Sequence, residues 1–263
     1  MEQKTKSKVA QKFGTSAGSK TDGYGPEEHA AFKKALVHLL QSFAKISARH
    51  PEVKWWIDCG TLLGLYRDRD LIHNDKDCDV CVDISTITKE WLVDLLDSGL
   101  LRNKTTIKKE FKLFAEGGKV LEHLMNGDVW MMRTLTIELS NKKTKFFGGT
   151  LKPFIDVFPK SRVEVNGESL LTSNGPFHTL YATATKNVYP LGSMQTKYGE
   201  FPVPHDIEAY LVEMYGPTWR VPDPNFGNYP GIAPGVLDDR KLGRIIYNFK
   251  TKQAEFTNEI DKY

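Results

Sequence analysis

His73-Asn74-Asp75-Lys76-Asp77-Cys78-Asp79-Val80-Cys81-Val82-Asp83 is the stretch against which the rest of the chain can be placed. From Cys78 to Ile84 the residues alternate, which predicts a strand with Cys78, Val80, Val82 and Ile84 on one face and Asp77, Asp79, Cys81 and Asp83 on the other. Asp75 shares the parity of Asp77, Asp79 and Asp83. Carboxylates crowded on one face repel, at a cost in free energy unless a cation or a basic group offsets it. Hard oxygen donors at this spacing suit Mg²⁺ or Mn²⁺. An EF-hand loop also opens D-x-D-x-D, but its sixth and twelfth positions want Gly and Glu, and this chain has Val80 and Thr86. The D-x-D of haloacid-type phosphatases follows an apolar strand, whereas here His73 to Lys76 precede it. The bland alternative is a solvated acidic loop, since a lone D-x-D arises often by chance.

Outward from this stretch, Gly25-Pro26-Glu27-Glu28 starts a helix, with Pro in the first turn and acids at its positive end. Phe32, Leu36, Leu40, Phe43 and Ile46 recur at helical period, predicting a helix over 27–49. Val53–Asp58 reads as a buried strand containing Trp55 and Trp56, Gly60-Thr61 as a turn, and Leu62–Arg67 as a short helix. Downstream, Ser85 or Thr86 is placed to cap a helix through Trp91, Leu92, Leu95 and Leu96, closed by Gly99. Strands are expected at 107–115, 129–139 and 153–158, and 160–203 reads mostly as loops. Pro204 opens a helix carrying Ile207, Tyr210, Leu211 and Met214, stopped at Gly216-Pro217. Residues 220–235 read as a loop, and the last thirty as a further helix. The class is α+β: a mixed sheet flanked by helices with a loop-rich C-terminal portion. Residues 1–24 read as a disordered basic tail, and 25–263 as a single domain.

Composition narrows the functions. The chain has 263 residues, 40% hydrophobic and 26% charged, enough to bury a core without disulfide or metal staples. Its net charge of +3 is too small to argue for nucleic acid, which is not expected as a partner. No stretch approaches the roughly 20 apolar residues of a membrane-spanning helix, and the N-terminus has no signal-peptide core. Three cysteines, Cys59, Cys78 and Cys81, read as reduced thiols. The single C-x-x-C lacks a second pair for zinc, and its two cysteines would point to opposite faces of a strand. Lys142, Lys143 and Lys145 read as a solvated edge, and the sequon at Asn103 carries little by itself.

The acidic stretch is not isolated. A Gly-Thr turn precedes it after a strand, and Pro153-Phe154-Ile155-Asp156-Val157-Phe158-Pro159 places another Asp in an apolar strand. The order strand, Gly-Thr turn, short helix, D-x-D strand, Asp-bearing strand is similar to a nucleotidyltransferase-type metal site. The turn's N–H groups at Gly60 and Thr61 suit a phosphate. Asp77, Asp79 and Asp156 suit two divalent ions about 3.5–4 Å apart. Arg67 is placed to neutralise phosphate charge.

Together, Asp58-Cys59-Gly60-Thr61-Leu62-Leu63-Gly64-Leu65-Tyr66-Arg67, then Ile72 and Asp75-Lys76-Asp77-Cys78-Asp79-Val80, resemble the LicD family, which includes fukutin and fukutin-related protein. Ile155-Asp156-Val157-Phe158-Pro159 resembles its second acidic motif. Val203-Pro204, Tyr210-Leu211 and Tyr215-Gly216-Pro217-Thr218-Trp219 resemble its C-terminal block. The resemblance spans about 55–224. It implies a nucleotidyltransferase-like fold and metal-dependent transfer of a phospho-alcohol, phosphocholine- or ribitol-phosphate-like, from a CDP-linked donor to a glycan hydroxyl. By match, Asp77, Asp79 and Asp156 are metal-binding and catalytic, Asp156 with a part in deprotonating the acceptor. Asp75 also matches a family Asp and is counted with the metal ligands. The family's Pro-Trp is His73-Asn74 here, which bears on the donor pocket. Lys76 replaces a common Asp and is expected to lower the neighbouring carboxylate pKa values or to contact phosphate. A cytoplasmic location is expected. The alternatives are transfer of the nucleotide itself, and a catalytically inactive nucleotide- or glycan-binding module. Of the seven histidines only His73 flanks the acidic stretch. Trp219 beside Arg220 reads as packing before stacking on a ligand.

Overall fold

A computed structural model describes residues 26–73, 75–98, 129–131, 135–138, 153–175, 179–223 and 235–259. Expectations for the tail at 1–24, Gly99, the sequon at Asn103, the strand at 107–115, Lys142 to Lys145 and the loop residues 224–234 lie outside the described residues.

The first helix, α1 (Pro26–Ser47), buries Leu36, Leu40, Phe43 and Ile46 of the predicted stripe, with Phe32 half-buried and Leu39 buried beside them. It packs on β2 (Asp77–Asp83) and β5 (Phe154–Val165), whose inner faces carry Cys78, Val80, Val82, Ile155 and Val157. Phe43 meets the edge of Trp55 in β1 (Trp55–Ile57) at 4.9 Å and that of Trp91 in α3 (Lys89–Asp97) at 6.0 Å. Trp55 and Trp56 are core residues, as the buried-strand reading holds. The cap of α3 differs from the expectation. Thr88 Oγ1, not Ser85 or Thr86, accepts from the Trp91 N–H, because Ile84–Thr86 form a 3₁₀ turn in which the Asp83 carboxylate accepts from Ser85.

Among the described residues the main sheet has seven strands. Its order is β1, β2, β5, β6 (Glu168–Asn174), β7 (Thr179–Ala184) and β10 (Val236–Asp238), with β4 (Leu135–Glu138) also paired to β5. The β2–β5 pair is parallel and the other pairs are antiparallel. A second sheet joins β3 (Val129–Met131), β11 (Arg244–Asn248) and β12 (Gln253–Thr257). The fold is therefore α+β, a mixed sheet flanked by helices.

Two stretches correct the sequence reading. Residues 160–203 are mostly strands: the end of β5, β6 (Glu168–Asn174), β7 (Thr179–Ala184), then the hairpin β8 (Gly192–Thr196) and β9 (Gly199–Val203), with only the short helix α4 (Thr185–Val188) between β7 and β8. Their polar composition hides strands that bury Val163, Leu171, Leu180 and Ala182 together with the polar Thr172, Ser173 and Thr183. Asn166-Gly167, both at positive φ (53° and 81°), make the two-residue β5–β6 turn, a hairpin signal in plain view. The last thirty residues hold only a four-residue helix, α6 (Asp239–Leu242), before β11 and β12. There Ile245, Ile246 and Tyr247 are inserted into the core, while Gln253 and Glu255 of β12 stay exposed.

The loop entering β2 is tied down from two sides. Asp70 accepts from Lys197 Nζ (2.8 Å), Lys33 and the Tyr198 hydroxyl. Burial works to raise its pKa, but hydrogen bonds from Lys197, Lys33, Tyr198 and the Leu71 N–H hold it below the usual carboxylate range. Gly64 opens a π-helical turn (Gly64–Asp68) under the same loop. A Cβ there would sit 2.7 Å from the Asp70 carbonyl oxygen and 2.8 Å from the Ile72 nitrogen, both backbone atoms that cannot swing away. Gly64→Ala is expected to cost ~1–3 kcal/mol by overpacking. In thermal melts Tm should fall by about 2–4 °C per kcal/mol; an unchanged Tm would show that the loop yields freely. No helix among the described residues is long and apolar enough to cross a membrane.

Candidate active site

The sheet's second face carries the acids. In the parallel β2–β5 register Asp79 lies opposite Asp156, and Asp77 opposite Phe154. Parallel neighbours share a face, so the D-x-D pair and the remote Asp project together. Carboxylate oxygens of Asp77, Asp79 and Asp156 all lie within 4.8 Å of one another. The same face is closed further along β2. Cys81 and Asp83 are buried there, and Asp83 is taken up by Ser85 and by the Tyr189 hydroxyl at 2.8 Å. Parity alone grouped Asp83 with the others; packing separates it.

The segment from Asp58 to Leu63 folds around Asp79. The Asp58 N–H donates to the Asp79 carbonyl (3.0 Å), the Gly60 N–H to Asp79 Oδ2 (3.2 Å), and the Asp79 N–H to Thr61 Oγ1 (2.8 Å). Gly60-Thr61 is therefore not a turn before the helix but the first turn of α2 (Cys59–Leu63). Helical dihedrals begin directly after Cys59, which holds φ at +45°. A non-glycine residue in this region costs about 1–3 kcal/mol. A Cβ on Gly60 would sit 2.6 Å from Asp75 Oδ2 and 3.6 Å from Asp79 Oδ2, which puts Asp75 beside the cluster.

The electrostatics follow from crowding. Burial, then the Asp77 charge and a hydrogen bond with Asp77, push Asp75 up to about 7. Burial raises Asp77 as well, against an opposing hydrogen bond from Asp75. Asp79 is pushed well up, by burial and then by the charges of Asp77, Asp75, Asp156 and Asp58. Lys76 does lower its two neighbours, as its position predicts, but burial at both, joined at Asp75 by the Asp77 charge, outweighs it and the net shift is upward.

Other expected residues fall elsewhere. Arg67 forks onto its neighbour Asp68 with two 2.8 Å hydrogen bonds and donates to the Trp219 carbonyl at 3.3 Å. It ties the helix to the C-terminal block, where Trp219 is buried against Tyr66 at 5.8 Å and Arg220 lies 4.3 Å over the Trp219 ring. The ring at His73 stacks on His29 of α1, with centroids 5.1 Å apart.

Several neighbours escaped the sequence reading. The buried Asp58 carboxylate accepts from the Tyr210 hydroxyl (2.7 Å) of α5 (Ile207–Tyr215) and from the Cys81 thiol. Lys160 is buried close by. Tyr181 on β7 and Tyr215 at the end of α5 have phenols raised by burial and then by Cys59 and Asp79, Tyr181 to about 12. Tyr210 and Tyr215 stood in the C-terminal block; nothing in the sequence pointed to Lys160 or Tyr181.

A family model described as LicD/FKTN/FKRP, nucleotidyltransferase domain, matches residues 52–206, more than half of the chain. The match takes in every acid of the cluster and ends just before α5. No curated protein matches the sequence.

Proposed function

The chain belongs to the LicD family of phospho-alcohol transferases, and from that premise we propose that it moves a phosphocholine- or ribitol-phosphate-like group from a CDP-linked donor onto a glycan hydroxyl, assisted by Mg²⁺ or Mn²⁺. One observation supports this above all: Asp77, Asp79 and Asp156, from distant parts of the chain, bring carboxylate oxygens within 4.8 Å of one another. Three hard oxygen donors on adjacent strands, of which burial keeps Asp77, and burial with neighbouring charges keeps Asp79, from ionising readily, suit a divalent cation. Asp77, Asp79 and Asp156 would hold it with Asp75 beside them, and it would neutralise the charge of the transferring phosphate.

The chain's own residues do the rest. Gly60 offers no side chain, which leaves room for the Asp75 carboxylate at the start of α2, and its N–H holds Asp79 Oδ2. Thr61 fixes the Asp79 backbone from below. Arg67 braces this turn against the C-terminal block. Asp156 takes the proton of the acceptor hydroxyl. The acceptor oxygen bonds to the alcohol-bearing phosphorus as the P–O bond to CMP breaks, and CMP leaves with that electron pair.

A CDP-linked donor labelled in both its nucleoside and its alcohol tests this reading. The alcohol label is expected on the acceptor and the nucleoside label in free CMP. Nucleoside label on the acceptor would overturn it in favour of nucleotide transfer.

A further inference from the structure

Lys160 is a buried cation that this chemistry does not use. It follows Asp156 by four residues on β5 and so shares its face of the strand. Its side chain is 2% exposed, and its Nζ has no hydrogen-bond partner among the described residues. It pairs with Asp58, whose Oδ2 lies 3.9 Å away and whose side chain is 1% exposed. The Tyr210 ring centroid is 5.9 Å from the ammonium. Burial pushes the Lys160 pKa down, while Cys81, Asp58, Cys59 and Glu213 push it up past that loss. Buried ion pairs add little net stability once desolvation is counted, so stability alone is a poor account of this one.

Asp58 is where the pair acts. Its N–H donates to the Asp79 carbonyl, and its own carbonyl accepts from the Leu62 N–H in the first turn of α2. Tyr210 and Cys81 hold its carboxylate on either oxygen. Cys59 follows at positive φ, then Gly60, whose N–H reaches the Asp79 carboxylate. A shift of Asp58 therefore shifts the donor that orients Asp79.

We infer that the buried Lys160–Asp58 pair is a positioning device. It fixes the junction from β1 into α2 and so holds Asp79 in the orientation that a divalent cation and the reacting phosphate need. This rests on the transferase reading above.

The test compares wild type, Lys160→Met and Lys160→Arg well below their melting temperatures. Mn²⁺ binding is followed by electron paramagnetic resonance, and transfer by steady-state kinetics. Lys160→Met is expected to lose about tenfold or more in Mn²⁺ affinity and in kcat, the range seen when the supports of metal ligands are removed, with the donor KM little changed. Lys160→Arg keeps the cation and should recover part of both. A folded Lys160→Met with a lower Tm but wild-type Mn²⁺ affinity and kcat overturns the inference. Should Lys160→Met fail to fold, Asp58→Asn/Lys160→Met removes both buried charges together. The same losses are expected of it, and wild-type values in that variant overturn the inference equally. A wild-type chain that neither binds Mn²⁺ nor transfers overturns the proposed function itself. A competent wild type beside an equally competent Lys160→Met overturns only the positioning role.

Discussion

Asp79→Asn is expected to lower transfer by roughly 10³-fold, the scale of losing a preorganised charge-stabilising group, while the chain stays folded. Asp79 is the most crowded of the acids: Asp77, Asp75, Asp156 and Asp58 all oppose its ionisation. Asparagine keeps the shape, an oxygen for the Gly60 N–H and the backbone bond to Thr61. It removes only the charge. The metal-free variant should therefore melt at or above the wild-type Tm, since repulsion is relieved. Asp83→Asn is the contrasting substitution. It alters an acid of the same strand and parity, but one that serves Ser85 and Tyr189, and kcat should stay near wild type. Circular dichroism, melting curves and kcat for the three proteins decide the matter. An Asp79→Asn chain turning over at the wild-type rate would remove Asp79 from the chemistry.

Metal-free protein is expected to lose stability as pH rises from about 4 to about 8, opposite to the usual effect of paired carboxylates. Asp75, Asp77 and Asp79 all have folded pKa values raised above those of the unfolded chain. The folded state thus holds protons that the unfolded state has released, and stability falls with pH wherever the native state binds more protons. Their contribution is fully present below the unfolded carboxylate pKa. It is lost as pH climbs through the folded values, about 7 for Asp75, with Asp77 and Asp79 raised in the same direction. Mn²⁺ should reverse the loss. At about a hundred times its Kd it adds ~2.7 kcal/mol, or roughly 5–10 °C in Tm at this chain length. The gain should be larger at pH 8 than at pH 5, because ligating carboxylates must be deprotonated. Melts in EDTA and in Mn²⁺ across this range provide the measurement. A metal-free Tm that climbs from pH 5 to pH 8, with no response to Mn²⁺, would show that the cluster is not a cation site.

The acids were legible in the sequence because a strand's period of two is rigid: once Cys78, Val80 and Val82 are assigned inward, Asp77 and Asp79 have one direction left. The helix stripe of α1 was legible for the same reason at period 3.6. The strands from Glu168 to Val203 were not, because Thr, Ser and Asn are themselves buried in β6 and β7, and the sheet, not the residue type, decides their burial. Asp83 shows the limit of parity, which sets a direction but not what packs above it. Lys160 shows the limit of composition. It fell in the stretch read mostly as loops, and the helix bearing Tyr210 and Glu213 makes it an interior cation.

The single register in which Asp79 faces Asp156 has a consequence for how such a protein can drift over generations. Insertions in the long connection between β2 and β5 leave both carboxylates facing the same way, whatever their number of residues. One residue gained or lost inside either ladder, between the acid and the nearest turn, swaps the charged layer for the oily one. Variation in length is therefore free between these two ribbons and forbidden within them.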